Sequence, residues 1–175
     1  REWDCVVLHD VDLVPHPGVP YTECDSPIQL GSELEHFNWG VPYHASAGGV
    51  VSMSPRHWRM INGYSNDYVG WGGEDDDLHH RLRINGLLGH KNRITRPGAG
   101  MGKFSVIDQS KEVHTRGKRG TYEFTLQLLK KMAAGSDRWR SDGLSDLVYQ
   151  KTQADKCATE MMCHMFVVPK KNNST

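Results

Sequence analysis

The sequence predicts an α/β domain, on three observations. Two β-branched apolar runs, residues 1–9 and Val50–Met53, have the composition of buried strands. Two longer segments, beginning at Glu74 and Thr121, space their leucines at helical period and stop at Asn85-Gly86 and Gly135. The length of 175 residues suits one domain with a substantial core, so residues 1–168 are expected to fold as one unit ahead of a polar tail, 169–175.

Taken in order, "CVVLHDVDLVP" starts as an apolar run and ends in acids and Pro15, as a buried strand does on emerging at a sheet edge. Residues 15–42 are rich in Pro, Gly, Ser and acids without periodicity, and read as a long irregular loop. The glycine pair Gly48-Gly49 leads into the strand Val50–Met53. Ser54 then caps a short helix with Pro55 in its first turn, running to about Ile61 and stopping at Asn62-Gly63. The helix opened by Glu74–Asp77 continues through Leu78 and Leu82. "TYEFTLQLLKKMAAG" places Phe124, Leu128, Leu129 and Met132 on one face, with Lys130 and Lys131 near its end, where the helix dipole favours cations. "DLVYQKT" and "CHMFVVP" read as short terminal strands.

Composition removes some functions. Lys+Arg 21 against Asp+Glu 21 gives a net charge of +0, which provides no long-range field for nucleic acid or an acidic membrane. No apolar run approaches the ~20 residues of a membrane span, and "REWDCVVLHD" has neither signal-peptide anatomy nor an initiating Met, so the chain reads as a piece of a longer protein. Four cysteines without a CxxC pair disfavour structural zinc and permit disulfides. With two overlapping glycosylation sequons in Asn172–Thr175, they lean towards a secretory compartment.

The chemistry gathers in "VGWGGEDDD", Val69–Asp77. Carboxylates in a first helical turn face free N–H groups, and capping alone accounts for one or two of them. Four acids behind Gly70, Trp71, Gly72 and Gly73 suggest in addition a hinged loop, with an indole face of the kind that stacks on a sugar ring. In Asp10-Val11-Asp12, carboxylates two apart in an extended strand end share a side, where a divalent cation and a diphosphate can be held; a solvated acidic strand end is the alternative.

Together "HDVDLVP", Gly48-Gly49 and "INGYSNDYVGWGGEDDD" resemble the β-1,4-galactosyltransferase family, in which a D-V-D-L-x-P strand end, a glycine pair and I-N-G-[FY]-x-N-x-Y-x-G-W-G-G-E-D-D-D occur in this order. "SDGLSDLVYQ" is similar to the family's closing segment. The resemblance covers about residues 3–150. It implies a glycosyltransferase-A type fold, an α/β sandwich over a mostly parallel sheet, with this chain as the C-terminal part of the catalytic domain and most of the nucleotide pocket in an upstream half. It implies a Cys5–Cys24 disulfide, and residence in the Golgi lumen as part of a type II membrane protein whose anchor is not in this chain.

The implied reaction is inverting transfer of a sugar, galactose or an N-acetylhexosamine, from a UDP-sugar to a glycan hydroxyl. Carried over by position, Asp75 is the base. Glu74 and Asp76 orient the acceptor, Trp71 closes over donor and acceptor from the loop of Gly72 and Gly73, and Asp10 contacts the nucleotide sugar or a metal-bound water. The helix dipole would help to keep the acids ionised. Asp12 is the implied ligand of Mn2+.

Three departures from the family pattern bear on this reading. Where the family completes its metal site with a His in a stretch like M-I-R-H, this chain has Val106-Ile107-Asp108-Gln109, so the site is expected to be weakened, with Gln109, Asp108 or His114 as candidates to complete it. Ser46 replaces a Tyr that crowds the donor's C2 substituent in many galactose-transferring members, leaving room for an N-acetyl group unless another side chain fills it. The acceptor-side R-F dipeptide falls near Thr121-Tyr122, where Tyr122 can still stack on a sugar. A failed metal site would leave an inactive glycan-binding or polymerase-partner subunit. His9 is expected to orient Asp10, and Trp39, Trp58 and Trp139 to serve packing.

Overall fold

The computed structural model describes residues 3–68, 72–107, 119–151, 156–159, 162–164 and 167–169. By their contacts these form two compact units, 1–145 and 146–175.

Two three-stranded sheets organise the first unit. β1 (Val6–His9) and β3 (Ile28–Gln29) flank β5 (Val50–Met53), both antiparallel to it, with Val6 opposite Met53 and His9 opposite Val50. In the second sheet β6 (Lys103–Val106) is central, antiparallel to β2 (Leu13–Pro15) and parallel to β4 (Glu33–Leu34). Pairing in this unit is thus mostly antiparallel, against the mostly parallel sheet that the resemblance implies. Among the described strands only β4 and β6 pair in one direction, with an isolated parallel bridge between Ile28 and Thr95.

β5 is the anticipated strand, and all four of its residues are buried. Its alternate side chains serve different layers, as the two-residue period requires. Val51 and Met53 pack with Trp58, Ile61, Leu78 and Leu82 under the helices, while Val50 packs with Leu13, Leu30, Leu34 and Phe104 between the sheets.

The helices follow their local signals. α1 (Pro55–Met60) is capped by Ser54, whose Oγ accepts from His57 N at 3.3 Å, and it ends before Asn62 and Gly63, both at positive φ. α2 (Glu74–Ile84) has the four acids as its first turn and buries Leu78 and Leu82. Its N-cap is Gly73 in a left-handed conformation, φ 93°, without a side-chain cap hydrogen bond. α3 (Arg119–Ala133) starts two residues earlier than expected and buries Thr125 and Leu128; the side chains of Phe124 and Met132 lie outside those described.

Three expectations change. Residues 15–42 hold β3, β4 and a 3-10 turn at Glu35–Phe37 instead of a continuous loop. "CVVLHDVDLVP" is two strands in different sheets, and Asp10–Asp12 is the turn between them: Leu13 N donates to Asp10 O at 3.2 Å, and Val11 is 94% exposed. Trp39 is exposed and does not pack inside, its backbone lying at φ 59°; Trp58 and Trp139 are buried as expected. The Cys5–Cys24 disulfide is present, with Cα atoms 5.7 Å apart.

In the second unit β7 (Tyr149–Lys151) pairs antiparallel with β10 (Val167–Pro169), and β8 (Lys156–Thr159) with β9 (Met162–His164). The expected strand "CHMFVVP" is therefore divided between β9 and β10, and β8 is additional.

Candidate active site

Three segments converge on the first turn of α2. The turn after β1 brings Asp10, whose N–H donates to Gly49 O at 3.0 Å. The segment before β5 brings Gly48, against which the Asp75 carboxylate lies so closely that a Cβ on residue 48 would overlap it. Tyr64, which follows α1 and packs on the helical core beside Trp58, faces Asp75, Asp10 and Glu74, and its hydroxyl is held protonated by burial and these three charges.

The four acids divide. Burial, followed by the charges of Glu74, Asp10 and Asp76, pushes the Asp75 carboxyl up from 3.8 to about 7. Burial and these neighbours outweigh the helix N-terminus, so the dipole does not keep Asp75 fully ionised at neutral pH. Asp76 lies beside the Tyr43 hydroxyl, and its charge, after burial, helps to raise that group's pKa. Glu74 Oε2 is buried without a hydrogen-bond partner among the described residues, an unsatisfied acceptor beside Asp75. Asp77 turns away from the site. It is 1% exposed and accepts from Arg81 Nε at 2.7 Å, and Arg81 also donates to Asp142 O at 2.8 Å and Asp142 Oδ2 at 3.0 Å.

Gly73 must be glycine for two reasons. Its φ is left-handed, and a Cβ there would overlap Thr125 of α3. Thus α3 seats directly against the N-terminus of the acid-bearing helix. Gly72, at φ 106°, faces open space.

Asp10 is raised by partial burial and then by Asp12, which brings the two carboxylates within each other's field although they occupy a turn. His9 contacts the backbone carbonyl of Asp10 through Nδ1 at 2.7 Å and the Tyr21 hydroxyl through Nε2 at 2.9 Å. Asp12 O accepts from Ile107 N at 2.8 Å, so the chain leaves β6 beside Asp12 and heads into the stretch carrying Gln109. Asp108, Gln109 and His114 lie outside the described residues, as does Trp71, and the Tyr122 side chain is likewise not described. Among the described residues no group of three or more His, Cys, Asp or Glu forms a metal cluster. The carboxylates of Asp10 and Asp12 are hard oxygen donors of the kind that suits Mn2+.

Ser46 is 3% exposed, and its hydroxyl accepts from Gln29 Nε2 at 3.3 Å. Its small side chain therefore packs inward and is covered in this structure. The sequence reading missed Tyr43, Tyr64 and Gln29. Tyr64 stands inside "INGYSNDY" and was available as a motif position, whereas Gln29 stands in the stretch read as loop and Tyr43 directly follows it.

A family model described as the N-terminal domain of galactosyltransferase matches residues 29–110, although the motif resemblance implies the C-terminal part of the catalytic domain. β-1,4-Galactosyltransferase 4 of Mus musculus is 38% identical over 151 residues, 86% of this chain and 40% of the relative. β-1,4-Galactosyltransferase 3 of Homo sapiens is 34% identical over 152 residues, 86% of this chain and 36% of the relative. This chain belongs to the β-1,4-galactosyltransferase family. It spans about two fifths of the length of these curated relatives. The catalytic domain of Drosophila β-1,4-galactosyltransferase 7, solved with xylobiose, superposes at a TM-score of 0.70 with 24% identity, covering 96% of this chain and 68% of that one. A mutant of that enzyme, solved with manganese, UDP-Gal and xylobiose, superposes equally well at 23% identity. The fold is thus the α/β fold of the family's catalytic domains.

Proposed function

We propose that the protein containing this chain is a UDP-sugar-dependent glycosyltransferase that moves galactose or an N-acetylhexosamine to a glycan hydroxyl with inversion. The observation that carries the reading is Asp75, a carboxyl poised at about 7 and set against Gly48 at the centre of the family motif. A general base works best when its pKa lies near the working pH. Asp75 takes the proton of the attacking hydroxyl, while Glu74, whose Oε2 is buried without a partner among the described residues, accepts from a second acceptor hydroxyl. Asp76, beside the Tyr43 hydroxyl, orients the sugar further. By their places in the family motif, Trp71 with Gly72 and Gly73 is assigned to cover the reactants and Tyr122 to stack on the acceptor. Asp12, with Gln109 or His114, would hold a manganese ion whose charge offsets that developing on the departing UDP. Asp10 orients the donor beside it. Support for donor and acceptor classes comes from the Drosophila relative, whose complexes contain UDP-Gal and xylobiose.

We place the protein in the Golgi lumen, tethered by a membrane anchor outside this chain. The disulfide agrees with an oxidising compartment, and among the described residues no helix is long and apolar enough to cross a membrane. Gln109, standing where the family has His, is the one residue that argues for a second reading, an inactive glycan-binding or polymerase-partner subunit. UDP release by the full-length protein decides, measured with UDP-Gal, UDP-GalNAc and UDP-GlcNAc over a glycan panel, with manganese and with chelator. Acceptor-dependent release is expected. Glycan binding without release on any donor supports the subunit instead.

A further inference from the structure

The segment 43–49 reaches three acids of the site. The Tyr43 hydroxyl lies in the field of Asp76, Gly48 backs Asp75 and Gly49 O receives the Asp10 N–H. The segment has little regular structure of its own, and what fixes it comes from elsewhere in the chain. Gln29, 1% exposed on β3, gives its amide nitrogen to the segment and its oxygen to Arg96: Nε2 donates to Ser46 Oγ at 3.3 Å and to Gly48 O at 3.1 Å, and Oε1 accepts from Arg96 Nε at 2.9 Å. Arg96 extends the brace, with Nη2 donating to His44 O and Ser46 O, both at 3.2 Å. Four hydrogen bonds from two side chains, themselves joined by a fifth, thus grip one short segment, and a buried amide this fully satisfied has few alternative arrangements.

We propose that Gln29 and Arg96 are positioning residues, which hold the floor of residues 44–48 so that the Asp75 carboxylate, resting on Gly48, stays aligned with the acceptor hydroxyl. The inference rests on the transferase reading. Neither side chain touches substrate; both act through the backbone at 44, 46 and 48. Because displacement of a base by about 1 Å costs on the order of a hundredfold in rate, loosening this floor reduces kcat more than donor binding, which relies on Asp10, Asp12 and the upstream half of the catalytic domain.

The test compares Arg96→Met and Gln29→Leu with the unaltered full-length protein, using its best donor and acceptor. Arg96 is only half-buried, so its substitution is tolerated even if that of Gln29 prevents folding. The expected result is a fall in kcat of about tenfold or more, a donor KM changed less than about threefold, and faster amide hydrogen exchange confined to residues 43–49. Arg96→Lys, which keeps the charge but not the forked donors, recovers only part of kcat. A folded Arg96→Met protein with unchanged kcat overturns the inference while leaving the transferase reading intact. Silence of the unaltered protein on every donor removes the transferase reading and this inference with it.

Discussion

Gly48 and the Asp75 carboxylate occupy adjoining space with no room for a methyl group between them. Gly48 is buried and its φ is not left-handed, so alanine is compatible with the backbone and the conflict is with Asp75 alone. Gly48→Ala is expected to lower transfer by about a hundredfold through displacement of the base, with a circular-dichroism melt close to that of the unaltered protein. Undiminished UDP release would remove Asp75 from the role of base at this position.

The pH dependence follows from the raised Asp75 carboxyl. Below 3.8 the group is protonated in folded and unfolded states alike, and its contribution to stability is fully present. That contribution declines as pH rises from 3.8 through about 7, because the fold retains a proton that the unfolded chain has lost. Asp75→Asn removes this penalty, so its gain in melting temperature over the parent should be larger at pH 8 than at pH 4. Transfer by the unaltered protein should fall on acidification through about pH 7, and Asp75→Asn should abolish it. A rate profile flat from pH 8 to 5 contradicts the assignment.

Arg81 stitches α2 to residues 61–63 and to Asp142 with no exposure to water. Arg81→Met leaves the Asp77 carboxylate without its guanidinium in a dry interior, where unpaired charge is costly, while Asp142 keeps Arg138 at 2.7 Å. A loss of about 3–5 kcal/mol in urea unfolding is expected, and added salt should change it little because the groups are buried. A loss below ~1 kcal/mol would place the pair among ion pairs of surface strength.

Donor choice is tested at Ser46. A tyrosine there must displace the Gln29 contact and enter the space beside the glycine pair, so Ser46→Tyr should raise the UDP-Gal to UDP-GalNAc turnover ratio if that space receives the C2 substituent. An unchanged ratio measured by UDP release would exclude position 46 as a donor determinant.

Local signals and long-range ones were not equally legible. Ser54-Pro55, Asn62-Gly63 and Asn85-Gly86 punctuate α1 and α2 within a few residues, so these helices were readable. β3 and β4 are two residues each and owe their existence to β5 and β6, partners about 20 and 70 residues away, which leaves no local period to detect. The acids of the site were visible as a motif, yet their division was not. Asp77 and Arg81 have the i,i+4 spacing of a surface pair, and their burial depends on Asp142, 61 residues beyond Arg81. Gln29 carried no sequence signal at all, since an amide in a polar stretch is ordinary until its partners are known.

The Cys5–Cys24 bridge encloses Asp10 and Asp12 in one covalent ring together with β1 and β2. How this protein is manufactured therefore decides what an assay will report. Material made in a reducing bacterial cytosol keeps both thiols, and the acidic turn is then fastened only by its hydrogen bonds. Such a preparation can pass for folded and yet hold a nucleotide sugar poorly. A feeble enzyme recovered from that source says more about the redox state of the host than about Gln109, and only material from an oxidising secretory route allows the two causes to be separated.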